Sequence, residues 1–290
     1  MNKYNDIGTV VTIGTFDGVH KGHQTILNTL VKTAKKENLK SIVISFEKPV
    51  KQVAGVLTTT KEKLNLLSSF AIDEILLFPV NKKIISITAE KFFENILIKK
   101  LNAAHLVVGY DCTFGKDRKG NIAWLKKNAK KYGVALTVVK PVKINNRIIS
   151  SSLIREKLEK NNIAVVNKML LRVFSFEGTH ITGNRIGRTL GFPTINIKVD
   201  ENKLLPRGVF SCSVIDKNLN TYKGVLNIGT RPSVKLKKHN LSVEIHILNF
   251  SGTWRSKQVK VYINKFIRPE QKFKNIEELK KAIADDIKKA

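Results

Sequence analysis

The sequence predicts two domains of different class: an α/β domain built on a parallel sheet, then a mainly antiparallel β domain, barrel or sandwich, with a terminal helix. Three observations carry this. The chain has 290 residues, and at roughly 100 to 200 residues per domain that length suits two separate cores. Through residues 1–160 short apolar runs alternate with helical stripes, the pattern of strands and their covering helices. Through residues 161–290 period-2 segments follow one another with turns between, the pattern of antiparallel strands. The domains are therefore expected at 1–160 and 161–290.

In the first half, Val10 to Phe16, Ser41 to Phe46, Glu74 to Val80, His105 to Tyr110 and Val134 to Val139 are rich in Val and Ile and bounded by Gly, Pro or polar residues. They read as buried strands. Between them Ile26, Leu27, Leu30, Val31 and Ala34 repeat at helical spacing, as do Phe92, Phe93, Ile96, Leu97 and Leu101, and a shorter helix is expected around Trp124. Such alternation implies a sheet covered on both faces, with ligands at the carboxyl ends of its strands. The polar stretch Glu156 to Lys168 continues a helix and then becomes the boundary. Beyond it Gly208 to Ile215, Tyr222 to Ile228, Leu241 to Leu248 and Val259 to Phe266 are strand candidates. Ile276, Leu279, Ile283 and Ile287 place one helix at the end.

Composition narrows the function. Hydrophobic residues are 42% and charged residues 26%, ordinary globular values that exclude a disordered or fibrous chain. The net charge is +29, split as +15 over residues 1–160 and +14 over 161–290, so neither half is a basic tail. Only 10 of the 52 basic residues are Arg, which argues against a surface built to read nucleic-acid bases and leaves no specific nucleic-acid partner expected. Cys112 and Cys212 stand far apart without metal-ligand spacing, which predicts neither zinc site nor disulfide framework and a reducing, cytoplasmic setting. No run of about 18 apolar residues occurs, so no membrane span is expected.

The first strand runs into GTFDGVHKGHQTIL, Gly14 to Leu27, a glycine turn feeding a helix. Gly14 and Gly18 allow close backbone approach, and the helix start offers unpaired N–H groups, together a phosphate cradle. His20 and His23 are three apart, able to reach one anion and to stabilise charge gathering on phosphorus. The same residues also fit a plain strand-to-helix turn with two surface histidines. A second element is Ile148 to Leu158, where Ser150, Ser151 and Ser152 precede a helix carrying Arg155. One serine is accounted for as a helix cap; three with an arginine suit two linked phosphates.

At these residues a resemblance enters. GTFDGVHKGH resembles the HxGH signature of the nucleotidyltransferase superfamily, and ISSSLIR resembles its second phosphate motif, usually ISSTxIR, with Ser152 in place of threonine. Val108 to Gly120, VGYDCTFGKDRKG, is similar to the VGxDFxFGxxRxG segment of prokaryotic bifunctional riboflavin kinase/FAD synthetases, with Cys112 where Phe is usual. SFEKPV, Ser45 to Val50, lacks the histidine common before its proline. The resemblance implies a Rossmann-like nucleotidyltransferase fold in which Gly14, Thr15, Phe16, Asp17, Gly18, His20 and His23 meet ATP. It also implies that Ser150, Ser151, Ser152 and Arg155 hold its phosphates and that Asp111, Phe114, Gly115 and Arg118 lie at FMN.

In the second half, Gly183, Gly187 and Gly191 recur at four-residue intervals with Arg185 and Arg188, in keeping with a phosphate-binding loop or with hairpin turns. Thr194 and Asn196 of PTIN project the same way from an extended segment, a pair of hard oxygen ligands for Mg²⁺; a turn is the plainer reading. In LSVEIHIL, Val243, Ile245 and Ile247 share one face and Ser242, Glu244 and His246 the other. If that face lines a cavity rather than solvent, Glu244 is a candidate general base.

GxxxGRxLGFPTxN, LPRGVF, NIGTRPSV, SVEIHIL and IRPEQKF together resemble the flavokinase module in its usual order. The resemblance implies a flavokinase β-barrel in which Thr194 and Asn196 bind Mg²⁺ and ATP, Glu244 deprotonates the ribityl hydroxyl, and Gly183 to Arg188 cover the nucleotide. LLRVFSFEG departs from the usual GRPYxxxG at Leu171 and Val173. The whole chain is then expected to turn riboflavin into FMN and FMN into FAD, with ATP as co-substrate and Mg²⁺. A chain with flavokinase activity alone, a basic nucleic-acid-binding protein and a weak homo-oligomer stay open at this point.

Overall fold

The structure is a computed structural model that describes residues 8–183, 187, 190–230 and 241–290. The chain divides into two compact units, Met1–Ser151 and Ser152–Ala290.

The first unit follows the expected alternation: β1 (Thr9–Gly14), α1 (Lys21–Glu37), β2 (Lys40–Phe46), α2 (Thr60–Ser68), β3 (Glu74–Phe78), the short α3 (Lys82–Ile85) and α4 (Ala89–Lys91). A π-helix over Phe92–Lys100, then β4 (Ala103–Gly109), β5 (Thr113–Phe114), β6 (Gly120–Asn121), α5 (Ile122–Asn128), β7 (Ala135–Val139), β8 (Lys143–Ile144) and β9 (Arg147–Ile148) complete it. The main sheet is parallel, ordered β3-β2-β1-β4-β7. Alternate strand residues face opposite layers. Val11, Ile13, Ile42, Ile44, Leu106 and Val108 pack on the Phe92, Phe93, Leu97 side, and Val10, Val43 and Val107 pack on Leu27, Leu30 and Leu67.

Two elements depart from simple periodicity. The Phe92–Leu101 stripe is helical, but its winding is wider, with Leu101 N–H donating to Ile96 O at 3.0 Å, five residues back. α2, absent from the pattern reading, is announced by a Thr-x-x-Glu capping box: Thr59 Oγ1 accepts from Glu62 N–H and Glu62 accepts from Thr59 N–H.

In the second unit, α6 (Ser151–Glu159, begun on the last residue of the first unit) and α7 (Ile163–Leu170) precede β10 (Ser175–Ile181), β11 (Thr194–Val199), β12 (Gly208–Ile215), β13 (Thr221–Thr230), β14 (Leu241–Ile247), β15 (Gln258–Arg268) and α8 (Ile276–Lys289). The expected single helix of this half is thus joined by α7, whose Ile163, Val166, Met169 and Leu170 are all buried at helical spacing. The strands form a closed barrel, β10-β11-β14-β13-β12-β15, because β10 pairs with β15 as well as with β11. That decides between barrel and sandwich. β10 and β11 are two strands that the period-2 reading left unnamed; β11 begins at the Thr194 of PTIN.

Candidate active sites

At the carboxyl end of β1 the chain turns through Thr15–Val19, with Phe16 at φ 51°, Gly18 at φ 82° and Val19 at φ 38°. Left-handed conformations at two non-glycine residues cost energy and persist only where surroundings hold them. Here they are held on several sides. Asp17 Oδ1 accepts from Leu57 N–H (2.9 Å), Thr58 N–H (3.1 Å) and the Thr58 hydroxyl (3.3 Å), and Gly18 N–H donates to Thr58 Oγ1 at 3.0 Å. Ser151 Oγ, at the start of α6, donates to Asp17 O at 2.8 Å. This brings Ser151 onto the glycine turn, across more than a hundred residues of sequence.

His20 is the N-cap of α1: its Nδ1 accepts from His23 N–H at 3.3 Å. In the neutral ring that contact puts the proton on Nε2, which makes Nε2 a donor. The two imidazoles stack with centroids 3.6 Å apart and 18° between planes, while Phe16 sets its edge against His23 at 5.2 Å. His23 Nδ1 is buried with no hydrogen-bond partner among the described residues. Burial, then the neighbouring His20 and Lys63 charges, hold the His23 pKa well below the usual histidine value, so the ring is neutral at neutral pH. The pair therefore sets His20 Nε2 and a buried His23 nitrogen beside the turn and the start of α1, an arrangement suited to a phosphate.

Lys63, on α2, was missed by sequence reasoning and stands at this site. Only 2% exposed, its Nζ donates to Thr15 O at 3.2 Å and to Phe46 O, the carbonyls at the ends of β1 and β2. The signal that could have found it is the capping box at Thr59 and Glu62, which fixes α2 and thereby places the next residue.

The expected flavin segment folds at the end of β4. Phe114 is 4% exposed, its ring packed against Phe92 at 5.5 Å and Trp124 at 5.7 Å, which makes it a wall of the core. Gly115 has φ 71°, and a Cβ there would stand 2.6 Å from Ala89 N. Asp111 and Arg118 are exposed, and Arg118 Nε donates to Thr113 Oγ1 at 2.9 Å. Cys112 is buried, its thiol pushed up to about 12 by burial and then by Asp111, which leaves it unreactive. Both cysteines are free. Ser152 and Arg155 follow Ser151 along α6.

The barrel site is built by strand register. Antiparallel pairing sets Asn196 opposite Glu244 and Thr194 opposite His246, and Asn227 opposite Glu244 from the other side. Residues directly opposite project to one face, so Asn196, Glu244 and Asn227 form a row across β11, β14 and β13. Val243, Ile245 and Ile247 fill the barrel core, so the row lies on the outer face. That face is covered at Asn196, which is 6% exposed, and open at Asn227. Gly183 and Gly187 stand against it: a Cβ on Gly183 would clash with the Asn196 carboxamide, and one on Gly187 would clash with Phe192 O and stand 3.3 Å from Thr194 Oγ1. Glu244 Oε1 accepts from the Ser242 hydroxyl at 2.9 Å. His246 Nδ1–H donates to Pro193 O at 2.8 Å, which ties the start of PTIN to β14. At Gly229 a Cβ would meet Glu270 Oε1 at 1.6 Å, so a second carboxylate rests against this end of β13. His246 and Glu270 were given no role by spacing. Arg185 and Arg188 lie outside the described residues.

Residues 2–153 match the FAD synthetase family and residues 170–290 match the riboflavin kinase family. The chain belongs to the bifunctional riboflavin kinase/FMN adenylyltransferase family. It is 39% identical over 287 residues to a bifunctional riboflavin kinase/FMN adenylyltransferase of Buchnera aphidicola, covering 96% of this chain and 92% of that one. It is 34% identical to the Escherichia coli protein of the same name, covering 96% and 90%. Among solved structures, one described as a macrolide-efflux protein from Streptococcus pneumoniae superposes with a TM-score of 0.86 at 27% identity, covering 99% of this chain and 96% of that one. What this family member shares with that chain is the fold. No helix among its described residues is long and apolar enough to cross a membrane.

Proposed function

We propose that the chain makes flavin cofactors in two steps: the barrel transfers the γ-phosphoryl group of ATP to riboflavin, and the α/β unit transfers AMP from a second ATP to FMN. The observation that carries this is one chain holding two sites of different construction, each in a region that matches its own family. Residues 1–160 are assigned to adenylyl transfer and 161–290 to phosphorylation.

In the α/β unit a phosphate oxygen of FMN attacks the α-phosphorus of ATP, the bond to the β-phosphate oxygen breaks, and pyrophosphate leaves. Attack by a substrate oxygen needs no protein nucleophile. The turn Gly14–Gly18 and the N-terminus of α1 receive the phosphates, His20 through Nε2–H and His23 steady the charge that grows on the transferred phosphorus, and Ser150, Ser151, Ser152 and Arg155 hold the departing phosphates. Asp111, Gly115 and Arg118 bound the flavin side, with Phe114 shaping the wall behind them.

In the barrel the ribityl 5′-hydroxyl gives its proton to Glu244 and attacks the γ-phosphorus, and ADP leaves. The hydroxyl of Thr194 and the carboxamide oxygen of Asn196 are hard donors, with Gly183 so close to Asn196 that a Cβ there would clash with its carboxamide, a set that fits Mg²⁺. Bound there, Mg²⁺ would neutralise phosphate charge; Gly183, Gly187 and Arg188 would cover the nucleotide. The substrates are riboflavin, FMN and ATP, the setting is cytoplasmic, and no specific nucleic acid or membrane partner is proposed. Two cysteines without metal spacing and a Lys-rich, Arg-poor surface support that reading.

One incubation with riboflavin, ATP and Mg²⁺, resolved by chromatography, tests the proposal. FMN and FAD should both appear. FMN alone would leave a flavokinase, and neither product, with salt-sensitive nucleic-acid binding, would favour the basic binding protein.

A further inference from the structure

We propose that Lys63 is a positioning residue for FAD formation, whose ammonium holds the phosphate turn in shape from behind; this rests on reading the N-terminal unit as the adenylyltransferase. A cation buried this fully is costly unless the fold uses it. Its Nζ bridges Thr15 O and Phe46 O, pinning the phosphate turn to the end of the neighbouring strand. Ser45 Oγ donates to the same Thr15 carbonyl at 3.3 Å. In a trans peptide C=O and N–H point oppositely, so a Thr15 carbonyl turned towards Lys63 forces the Phe16 N–H away from it.

Lys63 is the last of a series of anchors. Segment 57–63 grips the turn at Thr15 through Lys63, at Asp17 through Leu57 and Thr58, and at Gly18 through the Thr58 hydroxyl. Glu62 is engaged in capping its own helix. The titratable groups that face the ammonium are the carboxylates of Asp17 from the turn and Glu47 just past β2, and the neutral ring of His23 from α1. Burial lowers the lysine to about 8, against the opposing pull of Asp17 and then Glu47. Above that pH the ammonium becomes a neutral amine, and its bonds to Thr15 O and Phe46 O lose the charge that strengthens them.

The test uses the full chain, whose FMN formation is an internal control. Lys63→Met keeps length and removes charge. We expect kcat for FAD formation to fall at least tenfold while KM for FMN and the rate of FMN formation stay within twofold. The unfolding midpoint should fall only modestly, since the loss of a donor to Thr15 O and Phe46 O is offset by removal of a buried charge. Wild-type FAD formation should decline as pH rises through about 8, a decline absent from FMN formation and from Lys63→Met. FAD formation within twofold of wild type in Lys63→Met, or equal losses of FMN and FAD formation, would overturn the proposal. A wild type that makes FMN and no FAD would instead remove the adenylyltransferase reading on which it stands.

Discussion

The two candidate sites are built by opposite means. In the α/β unit the groups sit on a turn whose backbone is left-handed at Phe16, Gly18 and Val19, held in shape by bonds from distant segments at Thr58, Lys63 and Ser151. In the barrel they sit on regular strands, where pairing alone lines up Asn196, Glu244 and Asn227. The first arrangement spreads its dependence over many residues. The second concentrates it in few.

That contrast is broken most sharply at Glu244. Glu244→Gln keeps the shape of the row and removes the proton acceptor, so FMN formation should fall about 10²–10⁴-fold, the usual size of a general-base contribution, while added FMN is still converted to FAD. Loss of both activities would mean that the sites are not separable. The reciprocal change, His20→Ala with His23→Ala, should lower FAD formation about 10²–10³-fold, the scale of lost charge stabilisation, and spare FMN formation; an unaltered FAD rate would remove the histidines from the chemistry.

A smaller effect lies in pH. Because the folded His23 pKa is held below the ordinary value, the unfolded chain binds a proton below about pH 6.5 that the folded chain refuses, and stability falls as pH falls through that range. Between pH 7.5 and 5.5 the wild type should lose about 1 kcal/mol more unfolding free energy than His23→Gln, as denaturant titration would register. Equal losses would place the acid sensitivity elsewhere.

The smallest effect falls between the two chemistries. Leu171 ends α7 at φ 54° and is 56% exposed, at the position where the flavokinase pattern usually has glycine. A left-handed leucine costs about 1–2 kcal/mol, partly offset in glycine by greater chain entropy. Leu171→Gly should therefore stabilise the second unit by about 0.5 kcal/mol; thermal unfolding that shifts downward would show that the leucine side chain holds something in place.

How much was legible follows the same division. The parallel strands, α1 and the four strand candidates of the barrel half were readable because apolar spacing reports burial directly. That Thr194, Asn196 and Glu244 share a face was readable because strand alternation reports it. β10 was not: four of its seven residues, Ser175, Glu177, Thr179 and His180, are polar, and pairing rather than pattern makes it a strand. α7 was hidden by the Lys and Asn that flank its apolar stripe. Lys63 was invisible because its role depends on where α2 lies against the ends of β1 and β2, a fact of tertiary structure with no local signature beyond a cap. The π winding of Phe92–Lys100 also escaped, since one extra residue per turn changes the stripe too little to notice.

The closure of the barrel has a consequence for how copies of the chain meet. A ring of strands has no first or last member, so among the described residues of the second unit no strand of the barrel is left unpaired for a neighbour. In the main sheet of the first unit, β3 and β7 are the outer strands. Strand-on-strand association through these two sheets is thereby narrowed to two short edges, and a net charge of +29 opposes the approach of a second molecule to either. Salt, which screens that repulsion, would be the condition under which those edges begin to matter.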